Sequence, residues 1–135
     1  MREIKFNAVD EKTGEYARFD EFIDELKQEN AFGYVEYRDD DTHNELLAKF
    51  LNYYYGYTLL ISTGLKDKNG VEIYDGDIVH VTNKIMKIDE PMKVVFEDLM
   101  YKVISKNHSF VLAAPANSWT IRVIGNIYEN KELLQ

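Results

Sequence analysis

The chain has 135 residues, 45% hydrophobic and 13% aromatic, with a formal charge of −8 and no cysteine. That length fits one domain, or one domain with an elaboration, and is enough for a core without staples. The missing thiols exclude disulfides, zinc–thiolate centres, cysteine nucleophiles and iron–sulfur clusters. The opening MREIKFNAVDEK lacks the apolar stretch of a signal peptide. No run approaches the roughly eighteen apolar residues of a membrane span. These features predict a soluble, cytoplasmic protein without membrane association.

Ile4 to Val9 alternates apolar and polar residues and predicts a strand. Asp10 to Gly14 is turn chemistry, and a short strand over 15–18 closes a hairpin. Phe19, Phe22, Ile23 and Leu26 recur at one helical face, with Asp20, Glu21, Asp24 and Glu25 near its start. A helix is expected over 19–29. Ala31 to Tyr37 reads as a strand, ended by Arg38-Asp39-Asp40-Asp41. Thr42-His43-Asn44-Glu45 is a capping box ahead of the apolar stripe Leu46, Leu47, Phe50, Leu51 and Tyr54. It predicts a second helix over 43–54, stopped by Gly56.

From Tyr57 the pattern changes. Strands are expected over 57–62, 71–74, 77–82, 92–96, 99–104, 109–113 and 120–128, with turn signals between them. That spacing predicts a small antiparallel barrel or sandwich. Trp119 is expected to anchor its core. The expected class is α+β, with a helix-containing N-terminal part over 1–57 and an all-β part over 58–135.

Charge is uneven along the chain. Residues 1–60 hold 14 acidic and 7 basic residues, and residues 61–135 hold 10 and 9. The acidic half repels phosphate backbones, which argues against non-specific nucleic-acid binding. Lys84, Lys87, Lys93, Lys102, Lys106 and Arg122 are the candidates for a local basic patch in the second half.

Three acidic motifs invite a metal reading. In Asp67-Lys68-Asn69-Gly70 a calcium-loop alignment puts Leu65 and Gly76 at the terminal ligand positions, where neither supplies the oxygen required. Asn69-Gly70 suits a hairpin turn instead. Asp75-Gly76-Asp77 offers too few oxygens and reads as a turn that opens a strand. Asp39-Asp40-Asp41 reads as a solvated turn before the Thr42 cap. His43, His80 and His108 do not pair at metal-binding spacing, and neither nucleophile-elbow nor phosphate-loop glycines occur. The residues therefore predict no catalytic, cofactor or metal site. Tyr53-Tyr54-Tyr55-Gly56-Tyr57 is the remaining feature. Tyrosines suit interfaces. Tyr53, Tyr54, Tyr55 and Tyr57 either pack on the β part or form a partner-binding surface.

The stretch from Leu60 to Val79, LISTGLKDKNGVEIYDGDIV, resembles the signature of the YopX family of phage and prophage proteins of Gram-positive bacteria. Val123 to Asn130, VIGNIYEN, followed by Glu132-Leu133-Leu134, is similar to that family's C-terminal motif. Arg2 to Phe6 with Val9-Asp10 resembles its start. The chain departs from the pattern at Lys131, where proline is common, and at Ala8-Val9, where an aromatic is usual. The resemblance implies an SH3-like small barrel for the C-terminal region. It carries no established activity, no cofactor and no catalytic residues.

Three functions compete. The first is a non-enzymatic phage or prophage accessory protein that contacts an unknown protein partner or itself, with mimicry of DNA by its acidic surface as a special case. The second is association with single-stranded nucleic acid through Tyr74, Tyr101, Trp119 and the lysines, which the near-neutral charge of that half disfavours. The third is an enzyme acting through Asp75, Asp77 and His80.

Overall fold

The computed structural model describes residues 5–28, 32–33, 35–112 and 119–135. It divides into two compact units, Met1–Ile61 and Ser62–Gln135. The fold is α+β, mostly strand with two helices.

The first unit holds β1 (Phe6–Val9), β2 (Tyr16–Ala17), α1 (Phe19–Leu26), α2 (His43–Tyr53) and the start of β3 (Thr58–Lys66). β1 pairs antiparallel with β2 and with the first half of β3. The predicted stripe holds: Phe19, Phe22 and Leu26 are buried. Arg18 at the N-cap of α1 supplies no side-chain cap. The acceptor comes from far along the chain, since Asn7 Oδ1 takes the Phe19 N–H at 3.1 Å. This satisfies one of the free donors of the first turn. The helix stops at Leu26 rather than near residue 29. Lys27 and Gln28, both exposed, give the next turn no apolar anchor, and residue 29 lies outside the described residues.

α2 starts as its capping box predicts. Thr42 Oγ1 accepts from Glu45 N at 3.2 Å, and Glu45 Oε2 accepts from Thr42 N at 3.1 Å. Leu47 and Phe50 are buried. Phe50 meets Phe19 and Phe22 edge-on, each at 5.4 Å between ring centres. Burying one such ring contributes about 1.5–3 kcal/mol, and edge-on pairing adds about 0.5–1.5. The expected strand over 31–37 does not form at residues 35–37, while residues 31 and 34 lie outside the described residues. Val35 and Tyr37 do pack against the apolar cluster. Alternation reports which side chains face the core; a strand also needs a pairing partner.

The second unit carries the rest of β3, then β4 (Glu72–Tyr74), β5 (Asp77–Asn83), β6 (Ile88–Glu97), β7 (Met100–Ile104), β8 (Ser109–Val111) and β9 (Trp119–Asn126). A 3-10 helix over Lys131–Leu134 ends it. Five strands form an antiparallel sheet in the order β8-β7-β6-β5-β9. Val79, Val81, Met92, Val94, Val103 and Ile121 put one face of it into a core. Trp119 opens β9, packs on that core and meets Phe110 edge-on at 5.0 Å. β3, expected to end at residue 62, runs on to Lys66 through a register irregularity against β4. Thr63 Oγ1 donates to the Ile73 carbonyl there. β6 begins at Ile88, four residues before its apolar run, because Ile88 and Asp89 pair with Asn83 and Thr82 of β5.

Candidate functional site

The tyrosine cluster is split by the fold. Tyr54 is half-buried and caps α2, with its ring 5.0 Å from Phe50 and 6.0 Å from Phe22. Tyr53 lies 6.1 Å from Phe22 and 4.9 Å from Tyr54. Tyr57 is 5.1 Å from Tyr54, and its hydroxyl donates to Glu15 Oε2 at 2.6 Å. Tyr55 stands apart, 90% exposed. Tyr53 ends the helix 37% exposed and Tyr55 lies beyond its C-cap, so Tyr54 and Tyr57 are the two half-buried rings.

Burial pushes the Tyr54 phenol up to about 12, and the Tyr57 phenol reaches about 12 because it donates a hydrogen bond to the Glu15 carboxylate, which favours the protonated form. Both ionise in the unfolded chain near 10. The unfolded chain therefore loses these protons first, and stability falls from pH 10 through 12. A spectrophotometric phenolate titration should show a late-ionising fraction. Tyr57→Phe should remove part of it and make the chain less sensitive to alkali.

The acidic motifs serve the backbone. Asp67 is 7% exposed. Its Oδ1 accepts from Asn69 N at 2.8 Å and Val71 N at 2.9 Å, and its Oδ2 accepts from Val123 N at 2.8 Å. Lys68 N donates to the Ile121 carbonyl. One turn therefore closes the β3–β4 hairpin and covers the outer edge of β9, an edge that is otherwise open to pairing. Asp77, also buried, accepts from Tyr74 N at 2.8 Å. Between them Gly76 adopts φ +86, donates to the Val94 carbonyl and accepts from Ile127 N. Burial raises the Asp75 carboxyl above its usual range. In the first unit Asp41 pairs with Lys49 Nζ at 2.6 Å, and that ammonium holds its carboxyl below the usual range.

The C-terminal motif has the same character. Asn126 Oδ1 accepts from Tyr128 N and Glu129 N, and its Nδ2 donates to Glu129 Oε1. Asn130 Oδ1 returns to accept from Asn126 N at 3.1 Å. A Cβ on Gly125 would lie 2.5 Å from that same oxygen, so only glycine admits the contact.

Two histidines meet carboxylates on β6. His80 Nε2 lies 2.5 Å from Asp89, and His108 Nδ1 lies 2.6 Å from Glu90 Oε1. Glu90 also accepts from Ser105 Oγ at 2.7 Å. The Ser105 hydroxyl and the His108 ring hold the Glu90 carboxyl below its usual range. Ser105 and His108 both address Glu90, so the serine lacks the imidazole contact that nucleophilic activation needs. Asp77 and His80, three residues apart in β5, fall on opposite faces of the strand. Among the described residues no three His, Asp or Glu side chains gather as metal ligands. No helix among them is long and apolar enough to cross a membrane.

Sequence reasoning missed the exposed apolar tips of the second unit. Leu99 is 91% exposed, beside Phe96 at 53% and Met100. Asp98 and Leu99 both have positive φ, 52° and 64°. Asp98-Leu99 lacks the glycine that marks such a turn in sequence.

No curated protein matches the chain. Two solved structures share its sequence in part. Protein yopX from Bacillus subtilis is 30% identical, over 60% of this chain and 62% of that one, with a TM-score of 0.45. Protein EF1440 from Enterococcus faecalis is 33% identical, over 60% of this chain and 58% of that one, with a TM-score of 0.45. The chain thus spans less than two thirds of the length of either. The family model described as YopX protein matches residues 5–135, which include both the Asp67–Asp77 turns and the Gly125–Asn130 loop. The chain belongs to the YopX family.

Proposed function

We propose that this YopX-family chain is a non-enzymatic accessory protein of a phage or prophage. It works in the host cytoplasm as a protein-interaction module, and its C-terminal strands close as an SH3-like small barrel. The barrel reading is supported by the antiparallel meander β5 to β8, with β9 returning beside β5. The non-enzymatic reading is supported by Asp67 and Asp77, whose oxygens accept from backbone N–H groups.

One observation carries the interaction reading. The β6–β7 hairpin holds a leucine in left-handed backbone, which costs about 1–2 kcal/mol against the right-handed form. Its side chain meets almost only solvent. Phe96, edge-on to Tyr101 at 4.9 Å, and Met100 widen the apolar tip. Lys102 holds the turn through Asp98 at 2.9 Å. Strain kept for an exposed apolar side chain points to a contact made elsewhere. Tyr55 is the corresponding exposed ring of the first unit.

Leu99→Asn tests this with opposite signs on two readouts. Asparagine tolerates left-handed backbone, so stability should rise by about 0.5–1 kcal/mol. Capture of a host protein from bacterial lysate, or self-association in sedimentation, should fall at least tenfold. If the wild-type chain retains no protein, itself included, the proposal fails. It fails equally if the variant retains the same partner undiminished.

A further inference from the structure

Residues 61–135 hold ten acids and nine bases, a formal balance of −1. Burial divides them unequally. Asp67 and Asp77 are buried, and Glu72, Asp75 and Glu90 are half-buried, which leaves five exposed acids. Eight of the nine bases are exposed. The six residues outside the described set in this range carry no charge. Among the fully exposed groups of this segment the bases therefore outnumber the acids, eight to five, although its formal charge is negative. Of the exposed acids, Asp89 is held by His80 and Asp98 by Lys102.

The bases are also gathered. His80 and Thr82 alternate with the buried Val79 and Val81, so they lie on the face of the sheet away from the core. Arg122 and Thr120 of β9 sit opposite them in register. On β6, Lys93 alternates with buried Met92 and Val94 and faces the same way. At the end of this face the β5–β6 turn presents Lys84 and Lys87. With Thr82, Thr120, Ile85 and Asp89 they line an open groove of about 760 Å³. Lys84, Lys87, Lys93 and Arg122 are exposed and form no ion pair among the described residues. Lys87 holds φ +58, a conformation in which glycine or asparagine is usual. Ile85, 81% exposed, stands between the two lysines.

We propose that this face binds the phosphodiester backbone of a nucleic acid. Lys84 and Lys87 would hold phosphates at the groove, and the Thr82 and Thr120 hydroxyls would donate to phosphate oxygens. Arg122 and Lys93 would continue the track. Residue rows on a strand face repeat about every 7 Å, so the four cations span on the order of 20 Å. That length runs beside several phosphates, not one. Lys84, Lys87, Lys93 and Arg122 stand against one acid on this face, Asp89, and that positive excess suits a uniformly charged polymer, whereas folded protein surfaces intersperse both signs more evenly. The β5, β6 and β9 residues that share this face with the cations (Ile78, His80, Thr82, Asp89, Pro91, Thr120) include no Phe, Tyr or Trp, so recognition would rest on phosphate and carry little sequence preference. This reading is independent of the Leu99 hairpin.

The test is fluorescence anisotropy of the full chain with a labelled single strand of about twenty nucleotides, longer than the track. The matching duplex and polyglutamate serve as parallel probes. Four phosphate contacts predict a log–log salt slope of about −3 for single strands, so a fourfold rise in salt weakens binding about 50-fold. Lys84→Glu with Lys87→Glu lies in an exposed turn and should weaken binding at least tenfold. Should that pair disturb folding, Lys93→Gln with Arg122→Gln should flatten the slope by about 1.4. Lys131→Glu, in the 3-10 helix, should bind as wild type. The single-strand and duplex arms decide which form is preferred, and binding to either supports the proposal. No binding at low salt overturns it. So does equal weakening by Lys131→Glu, or polyglutamate binding as tight as nucleic acid, which would indicate an acidic-protein site.

Discussion

Asp67→Ala should cost about 3–4 kcal/mol. The carboxylate accepts three backbone N–H groups, from Asn69, Val71 and Val123. A hydrogen bond to a charged group is worth about 1.5–3 kcal/mol, and a buried N–H left without an acceptor costs about 1–3 more. Water recovers part of this at Asn69, which is exposed. It recovers less at Val123, inside β9. Asp67→Asn separates the contributions. Its carbonyl oxygen can serve one side of the turn, but its amide then meets another donor, so an intermediate loss of about 2 kcal/mol is expected. Urea unfolding of the three proteins gives the order. If both variants melt with the wild type, the turn does not hold the hairpin to β9. Calcium should leave all three midpoints unchanged, because both Asp67 oxygens already have donors.

Gly76→Ala should cost about 2–3 kcal/mol, and Gly70→Ala only about 1. Both glycines have left-handed backbone, at φ +86 and +80. That conformation costs a residue with a Cβ about 1–2 kcal/mol. The surroundings differ. A Cβ at Gly70 meets nothing within 4 Å, whereas one at Gly76 lies 3.0 Å from the Tyr128 ring. Gly76 also bonds to both Val94 and Ile127 through its backbone, so it cannot shift without losing one of them. The difference between the two variants therefore measures the ring contact, and equal losses would show that Tyr128 yields.

Much of the fold was legible because its signals are local. The Thr42–Glu45 capping box names its helix start in four letters, since both partners lie within one turn. The alternation of β5 named its inward face, because side-chain direction in a strand repeats every two residues. DKNG was legible as a turn for the same reason. Where the competing signal was long-range, the reading fell short. α1 takes its N-terminal acceptor from Asn7, twelve residues away. Residues 35–37 had the alternation of a strand and no ladder to join. β6 started early because β5 supplied partners that its own apolar pattern does not encode.

The sequence by itself determined the family wording and the DKNG and DGD turns. Each depends on residue type and short spacing, which a chain carries before it folds. Only the tertiary structure decided what Asp67 does, because two of its acceptor contacts are local and the third, to Val123, crosses fifty-six positions. It also decided which tyrosines of the cluster are half-buried, since the burial of Tyr54 and Tyr57 depends on where Phe22 and Glu15 arrive. The charge of the second unit is the sharpest case. A formal count weighs buried and exposed groups alike. Folding withdraws half of the acids from full exposure and leaves eight of nine bases in water, because carboxylates accept backbone N–H groups compactly and long ammonium side chains reach solvent.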